Sequence, residues 1–294
     1  MIENNNYCLI CNSNVIEHVI SNGYKYYKCN NCASSQLLPQ PSNEELHNYY
    51  SKFHLPEEFG GGYDWVEERM RIDFDSKLKL INSYTRNTRL NLLDVGCGKG
   101  FFVLESNKKG FTATGIDISI SGIEYSKNTL KINTELKSIQ ELAADIANNE
   151  KFDVITLWAT IEHVPYPQNL LASINYCLKK KGYLFLDTGL GNDKFEKFLT
   201  GHSQWYDALQ HLFVFSEKGL KILLAQAGFD ILKVDKNFER SRIRKYTKFT
   251  RHLFISLSSY LLLRPILGKT GFMTMQKESK WPIGKLIQIV AQKN

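Results

Sequence analysis

The sequence predicts an α/β fold, a doubly wound and mainly parallel sheet of seven strands, with a small cysteine-bearing module at its N-terminus. Short apolar runs alternate with helix-length amphipathic segments after residue 89, and two C-x-x-C pairs stand before residue 33. The apolar runs are Leu92–Val95, Ala113–Ile116, Ile132–Leu136, Phe152–Trp158, Tyr183–Leu186, Phe229–Val234 and Leu286–Val290. Parallel strands are buried on both sides, so we expect helices on both faces of the sheet.

The four N-terminal cysteines predict a zinc ribbon. Cys8 and Cys11 form one C-x-x-C pair, Cys29 and Cys32 form the other, and seventeen residues separate them. Two tight turns of this kind bring four thiolates to one tetrahedral zinc ion, and four protein ligands make that ion structural. The run Tyr24–Lys28 is typical of a β-hairpin arm that delivers the second pair. Four unligated cysteines and a redox C-x-x-C site are the alternatives.

Length and composition set the domain organisation. A chain of 294 residues with 43% hydrophobic residues buries one full-size core and a small satellite domain. We predict a zinc ribbon over 1–38, a helical linker and cofactor-site cover over 39–85, and a main domain over 86–294 with a basic amphipathic insertion at 236–269. The first residues lack a signal peptide, and the longest apolar stretch is shorter than the roughly 20 residues of a bilayer span. We therefore expect a cytoplasmic protein.

The turn after the first strand of the sheet predicts a nucleoside site. Glycines recur as G-x-G-x-G over Gly96–Gly100, and such a backbone can approach a ligand closely. Asp94 lies two residues before this turn, and Asp117 ends the second strand. A carboxylate at that strand end can accept hydrogen bonds from both hydroxyls of a ribose. The spacing differs from the G-x-G-x-x-G of dinucleotide sites.

Four segments, LLDVGCGKG, GIDIS, FDVITLWATIEHV and LKKKGYLFLDT, follow one another over roughly residues 89 to 190. In order and spacing they resemble the motifs of class I S-adenosylmethionine-dependent methyltransferases, whose fold is Rossmann-like. The resemblance implies S-adenosylmethionine as the cofactor and an antiparallel final strand in the sheet. It implies that the glycines line the methionine portion of the cofactor. The implied cofactor residues in this turn are Asp94, Gly96, Cys97, Gly98 and Gly100.

The same resemblance implies further cofactor contacts at the following strand ends. Asp117 would hold the ribose, and Ile118 would pack on the adenine. Ser138 and Ile139 would lie at the adenine edge, although the family usually has an acidic residue at the position of Ser138. Trp158 would lie beside the sulfonium, or it is a core tryptophan.

His163 is the first candidate for a general base. Methyl transfer to a hydroxyl depends on positioning and benefits from a base, and an imidazole titrates near working pH. The segment Glu162-His163-Val164 resembles the E-H-V of ubiquinone-biosynthesis O-methyltransferases. Those enzymes carry a further Glu where this chain has Ala159, so the resemblance implies no metal at the reacting end. A structural His163 is the alternative.

A downstream segment concerns the acceptor. Trp205-Tyr206, His211–Ser216 and Ala227-Gly228-Phe229 resemble a segment of methyltransferases from surface-polysaccharide gene clusters, which often carry a Cys-rich ribbon. The resemblance implies a sugar or glycan acceptor, and the absence of a further C-terminal domain favours O- over C-methylation. His211, the second catalytic candidate, would form an acceptor pocket with the two aromatic residues, or all three are core packing.

The charge pattern leaves several partners open. The net charge is +7, and nine Lys or Arg against one acid lie between Lys236 and Lys269. Such a segment, over 240–269, suits peripheral contact with the inner face of a membrane. A lid, a dimer contact or a solvated basic face are the alternatives, and the oligomeric state is undetermined. An RNA base methyltransferase with a zinc ribbon is the second functional hypothesis, although the weakly charged ribbon argues against nucleic acid. A non-catalytic binding module is the third.

Overall fold

A computed structural model describes residues 7–50, 63–86, 89–191, 205–236 and 285–294. Apart from Lys236, the predicted basic insertion at 236–269 lies outside these residues, and so does the predicted membrane contact at 240–269. The chain divides into two compact units. The first contains the described parts of 1–40, 189–220 and 236–287, and the second contains those of 41–188, 221–235 and 288–294. None of the described helices is both long and apolar enough to cross a membrane.

Eleven strands and seven α-helices occur among the described residues. The strands are β1 Val15–Ser21, β2 Tyr24–Cys29, β3 Ser35–Leu37, β4 Asn91–Val95, β5 Thr112–Asp117, β6 Thr134–Leu136, β7 Phe152–Trp158, β8 Leu178–Leu190, β9 Phe213–Val214, β10 Phe229–Asp235 and β11 Lys285–Lys293. The helices are α1 Asn43–Tyr50, α2 Tyr63–Thr85, α3 Phe101–Lys108, α4 Ile120–Tyr125, α5 Ile139–Ala143, α6 Pro167–Cys177 and α7 Glu217–Gln226.

The large sheet confirms the predicted fold class. Its strand order is β10-β11-β8-β7-β4-β5-β6. Strand β4 pairs in parallel with β5 and β7, and the next pairs outward, β5–β6 and β7–β8, are also parallel. Strands β10 and β11 are antiparallel, in agreement with the antiparallel final strand that the family resemblance implies. The strand order reverses at β4, so a ligand crevice is expected at the carboxyl ends of β4, β5 and β7.

Helix α2 packs on the core of the second unit. Leu78 and Ile81 lie three positions apart, which places both on one helix face, and both are buried in a cluster with Leu92, Phe102 and Val154. Burial of each side chain contributes about 1.5–3 kcal/mol. Helix α1 begins after Ser42 in a capping box, because Ser42 Oγ accepts from the Glu45 backbone N–H at 3.2 Å while Glu45 Oε2 accepts from Ser42 N at 2.8 Å.

The small sheet of the first unit has the order β1-β2-β3-β9. Strands β1 and β2 form the predicted hairpin, closed by Asn22 and Gly23 with φ angles of 52° and 80°. Positive φ at both central residues is the geometry that an Asn-Gly turn favours. The fourth strand, β9, pairs antiparallel with β3. The unit therefore extends beyond the 1–38 segment predicted as the ribbon, through a two-residue strand too short to produce a sequence period.

Candidate active site and metal centre

The four predicted zinc ligands meet at one point of the first unit. The Sγ atoms of Cys8, Cys11, Cys29 and Cys32 all lie within 4.8 Å of one another, with Cys8 to Cys32 at 3.7 Å and Cys11 to Cys29 at 3.5 Å. Four thiolates about 2.3 Å from a tetrahedral zinc would lie roughly 3.8 Å apart. Backbone N–H groups point at the sulfurs, as from Cys32 N to Cys29 Sγ at 3.3 Å. This four-cysteine cluster fits a structural zinc ion, whose identity stays a prediction.

The glycine-rich turn of the second unit is tied to β5. The backbone N–H groups of Gly96 and Cys97 both donate to the Ile116 carbonyl, at 2.9 and 3.1 Å. Gly96 and Gly100 have φ angles of 75° and 80°, and a Cβ at either position would lie 2.5 Å from a neighbouring side chain. No other residue type fits these two positions without displacement. The turn therefore owes these two glycines to its backbone conformation and to the close approach of Thr160 and Ile132.

Asp117 faces the glycine-rich turn, and its predicted contact with a ribose stays a prediction. Its Oδ2 accepts from the Gly98 backbone N–H and its Oδ1 from the Ser119 backbone N–H, both at 2.7 Å. Each carboxylate oxygen keeps a second lone pair for a ligand hydroxyl. Ile118 is 52% exposed and Leu136, at the end of β6, is 48% exposed, so uncovered apolar surface adjoins the carboxylate. An adenosyl group would pair its ribose with Asp117 and cover that surface.

The other predicted cofactor residues differ in exposure. Ser138 is the N-cap of α5 in a capping box with Glu141, which gives a local reason for a serine where the family has an acid. The side chain of Ile139 is buried, and Cys97 packs beside the core, where burial raises the pKa of its thiol. Trp158 lies with its ring centroid 5.5 Å from that of Phe102, and its buried Nε1 has no hydrogen-bond partner among the described residues.

A buried ion-pair network adjoins Trp158, and the sequence analysis did not identify it. Lys77 Nζ lies 3.3 Å from Asp73 Oδ2, 3.0 Å from Asp187 Oδ2 and 4.2 Å from the centroid of the Trp158 ring. Asp187 Oδ1 also accepts from the Ala159 backbone N–H at 2.8 Å. Ala159 has a backbone φ of 50°, a value that residues other than glycine seldom adopt. The network therefore holds a strained turn at the carboxyl end of β7. The one sign of this network in the sequence is Asp187, a carboxylate within an otherwise apolar strand.

Asp94 is buried beneath the glycine-rich turn. Its Oδ1 accepts from the Thr156 hydroxyl at 2.6 Å. Burial raises the pKa of its carboxyl to about 7, and the Thr156 hydrogen bond and the charge of Lys77 only partly oppose this increase. The folded protein therefore keeps Asp94 protonated at pH values where the unfolded chain has released the proton.

The raised pKa of Asp94 predicts a pH-dependent difference from Asp94→Asn. Between pH 4 and pH 7 the folded wild type binds the extra proton, so its free energy of unfolding falls as the pH rises through this window. Asparagine resembles the protonated form of aspartate but does not titrate, so the variant lacks this pH dependence of the free energy of unfolding. Relative to the variant, the wild type should lose about 2 kcal/mol between pH 5 and pH 7. Urea unfolding at several pH values measures this, and parallel curves for the two proteins would contradict the assignment.

The two candidate catalytic histidines belong to different units. His163 ends a short 3₁₀ turn, Ile161–His163, which follows β7 in the second unit. Its neighbour Glu162 is 3% exposed, and burial raises the pKa of the Glu162 carboxyl, while a positive charge on His163 opposes the rise.

His211 lies in the first unit, with its ring centroid 5.7 Å from that of Trp205. Tyr206 is fully buried there, and its ring packs edge-on against Tyr26 at 5.1 Å. Of the two interpretations of Tyr206, the structure shows core packing. The catalytic roles of both histidines stay predictions.

Comparison with known proteins places the chain in a family. Residues 65–234 match the family model described as a methyltransferase domain, which is more than half of the chain. A ubiquinone biosynthesis O-methyltransferase of Coxiella burnetii is 35% identical over 117 residues, covering 38% of this chain and 49% of that protein. One from Haemophilus ducreyi is 36% identical over 104 residues, covering 33% of this chain and 44% of that protein. The chain thus spans about half the length of these relatives.

The solved structures agree on the fold. A SAM-dependent methyltransferase from Archaeoglobus fulgidus superposes with a TM-score of 0.52 at 18% identity, covering 81% of this chain and 97% of that one. This similarity concerns the fold alone. The family match, the parallel sheet that reverses at β4 and the Asp117 carboxylate at the glycine-rich turn agree with one another. The chain therefore belongs to the methyltransferase domain family.

Proposed function

We propose that the protein transfers the methyl group of S-adenosylmethionine to a hydroxyl of a small molecule, a sugar in the form of a nucleotide sugar or a glycan intermediate. Both curated relatives named above are O-methyltransferases. The observation that carries the proposal is the Glu162–His163 pair, which directly follows β7 at the crevice edge of the sheet. Methyl transfer to a hydroxyl benefits from a base at this edge, and this pair supplies an imidazole beside a buried carboxyl.

Each part of the second unit has a role in this proposal. The bound cofactor supplies an electrophilic methyl group. The glycine-rich turn and Asp117 hold the cofactor, which fixes the direction of attack. His163 takes the proton of the acceptor hydroxyl, and the buried Glu162 carboxylate stabilises the imidazolium that results. This role requires attraction between the Glu162 carboxylate and the His163 imidazolium. In agreement with it, a positive charge on His163 lowers the pKa of Glu162.

The choice of a sugar over RNA rests on the first unit. Trp205 is partly exposed beside His211, and aromatic faces of this kind pack on sugar rings. Sequence-independent RNA binding needs uncompensated cations. In the ribbon, Lys25 Nζ lies 2.8 Å from Glu17 Oε2, so this cation is compensated. Polysaccharide modification is supported only by the sequence resemblance described above.

The acceptor class is tested by methyl transfer from radiolabelled S-adenosylmethionine to three pools: nucleotide sugars, catechols and total RNA. We expect incorporation into the nucleotide-sugar pool. His163→Gln should lower kcat at least about 100-fold while the Kd for the cofactor stays within threefold, because the base acts only in the transition state.

Tyr166→Phe is a matched control, because Tyr166 is an exposed hydroxyl-bearing residue three positions further along the same segment. It should retain wild-type kcat. Labelling of RNA alone would exclude the sugar, and full activity in His163→Gln would exclude this base.

A further inference from the structure

The four-cysteine cluster is connected to a segment that the chain reaches only much later. Strand β3 follows the second cysteine pair, and β9 pairs with it in the register Ser35 to Val214 and Gln36 to Phe213. The backbone N–H of Leu37 donates to the Leu212 carbonyl at 2.9 Å, which extends the pairing by one residue. The main chain around residue 213 is therefore fixed by the ribbon.

The second cysteine turn makes direct side-chain contacts with the residues after β9. The Ser216 hydroxyl donates to the carbonyl of Cys32, and the Ser216 backbone N–H donates to Ser34 Oγ at 2.9 Å. Lys218 Nζ donates to the carbonyl and to Oδ1 of Asn31, at 2.9 and 2.8 Å. Asn31 and Cys32 belong to the turn that presents two of the four sulfurs. The geometry of this turn and the position of Ser216 therefore depend on each other.

The hairpin β1–β2 holds the other end of the same segment. Ser21 Oγ donates to the Tyr206 carbonyl at 2.8 Å, and the Tyr26 hydroxyl donates to the His211 carbonyl. Tyr206 has no exposed surface and places its hydroxyl 3.2 Å from Ser35 Oγ. These are buried hydrogen bonds, which cost about 1–3 kcal/mol each when one partner is lost.

We propose that the metal in the four-cysteine cluster acts as a positioning element for residues 205–218, the acceptor segment, rather than as part of a docking module for nucleic acid or protein. The metal would join the two cysteine turns, so the geometry of the second turn, and of the β2–β3 surface that it borders, depends on the cluster being loaded. The acceptor segment makes hydrogen bonds to that surface at Leu212, Ser216 and Lys218. Loss of the metal therefore releases the acceptor segment.

The functional part of this inference rests on the proposed function, since the acceptor segment carries Trp205 and His211. The cofactor residues Asp94, Asp117 and the glycine-rich turn lie in the second unit, whereas the four-cysteine cluster and the acceptor segment lie in the first. Loss of the metal is thus expected to weaken the binding of the acceptor and to leave the binding of S-adenosylmethionine almost unchanged. If the ribbon were a docking module, the acceptor segment would instead stay ordered whether or not the metal is bound.

The first test uses the full chain and amide hydrogen exchange, a readout that requires no acceptor. Cys32→Ser should lose its zinc, measured by plasma mass spectrometry, and the amides of 205–218 should exchange at least tenfold faster. The amides of β4 and β5 should keep their protection, and the calorimetric Kd for S-adenosylmethionine should stay within threefold. Cys177→Ser is the matched control, because Cys177 is a buried thiol of the second unit and lies outside the cluster.

A second variant leaves all four sulfurs in place. Ser216→Ala removes the hydroxyl that donates to Cys32 and should keep the zinc content while amide exchange in 205–218 rises and the acceptor KM increases more than kcat falls. Unchanged exchange in 205–218 after metal loss would overturn the inference, and so would loss of cofactor binding together with the metal. If the acceptor proves to be RNA, the proposed function fails while the exchange result still decides the role of the metal.

Discussion

Asp117→Ala is expected to weaken the binding of S-adenosylmethionine at least about 100-fold. The carboxylate lies at the carboxyl end of β5, and its two oxygens already fix the Gly98 and Ser119 backbone N–H groups. Alanine removes these anchors and also the predicted acceptors for both ribose hydroxyls. Hydrogen bonds to a charged group contribute about 1.5–3 kcal/mol each, so the loss of two amounts to a factor of about 10² to 10⁴. Titration calorimetry on the purified chain measures the effect.

Asp145→Ala is the control for Asp117→Ala. The carboxylate of Asp145 also accepts a backbone N–H, from Ala147 at 3.0 Å, but it caps the short turn after α5. The control loses the same charge and the same type of hydrogen bond, and it should bind the cofactor like the wild type. Equal affinity in Asp117→Ala and the wild type would remove the ribose assignment, and with it the main residue-level support for the cofactor site.

Lys77→Met is expected to lower the free energy of unfolding by about 3–5 kcal/mol. The Lys77 ammonium is 3% exposed and lies between the Asp73 and Asp187 carboxylates, so methionine leaves two buried charges without compensation. Asp187 also holds the Ala159 backbone N–H, and the turn after β7 should therefore loosen. In a chain of this size the loss corresponds to roughly 6–20 °C in Tm. Thermal unfolding by circular dichroism measures it.

Lys109→Met distinguishes this buried network from an ordinary ion pair. Lys109 Nζ lies 3.3 Å from Asp75 Oδ1, and both side chains are 49% exposed. Asp75 belongs to α2, the same helix as Lys77, but a pair in solvent contributes only about 0–1 kcal/mol. The control should therefore unfold within about 4 °C of the wild type. If the two variants have the same Tm, the buried network does not stabilise the fold.

The sheet was predictable because its signal is repeated along the chain. Each strand of the large sheet coincides with an apolar run of the sequence, and the final strand, β11, was expected from Leu286–Val290. The boundaries were less accurate. Strand β8 begins at Leu178 and includes the lysines that precede Tyr183, since their ammonium groups remain near solvent and Lys179 pairs with Asp153 at 2.8 Å. The sequence predicts that Asp117 and the glycine-rich turn lie together, because the short connection through α3 places the carboxyl ends of β4 and β5 side by side.

The parts that were missed depend on contacts between distant positions. Nothing in α2 alone indicates that Lys77 will meet Asp187, 110 positions later, because an (i, i+4) pair such as Asp73 and Lys77 is also typical of a solvent-exposed helix. Strand β9 has two residues, so no alternation could reveal it. The N-cap role of Ser138 was available from the spacing Ser138-x-x-Glu141, which is a capping-box signature.

The pairing of β3 with β9 has a consequence during synthesis. Ser35 and Val214 are 179 positions apart, so at about 5–20 residues per second the ribosome needs roughly 9 to 36 s to deliver the second partner. For that interval one edge of β3 in the nascent chain has unpaired backbone groups, and an open edge of this kind invites pairing with other chains. The four thiols precede this edge, so a metal ion bound by them would be the first stabilising contact of the nascent protein, well before its sheet is complete.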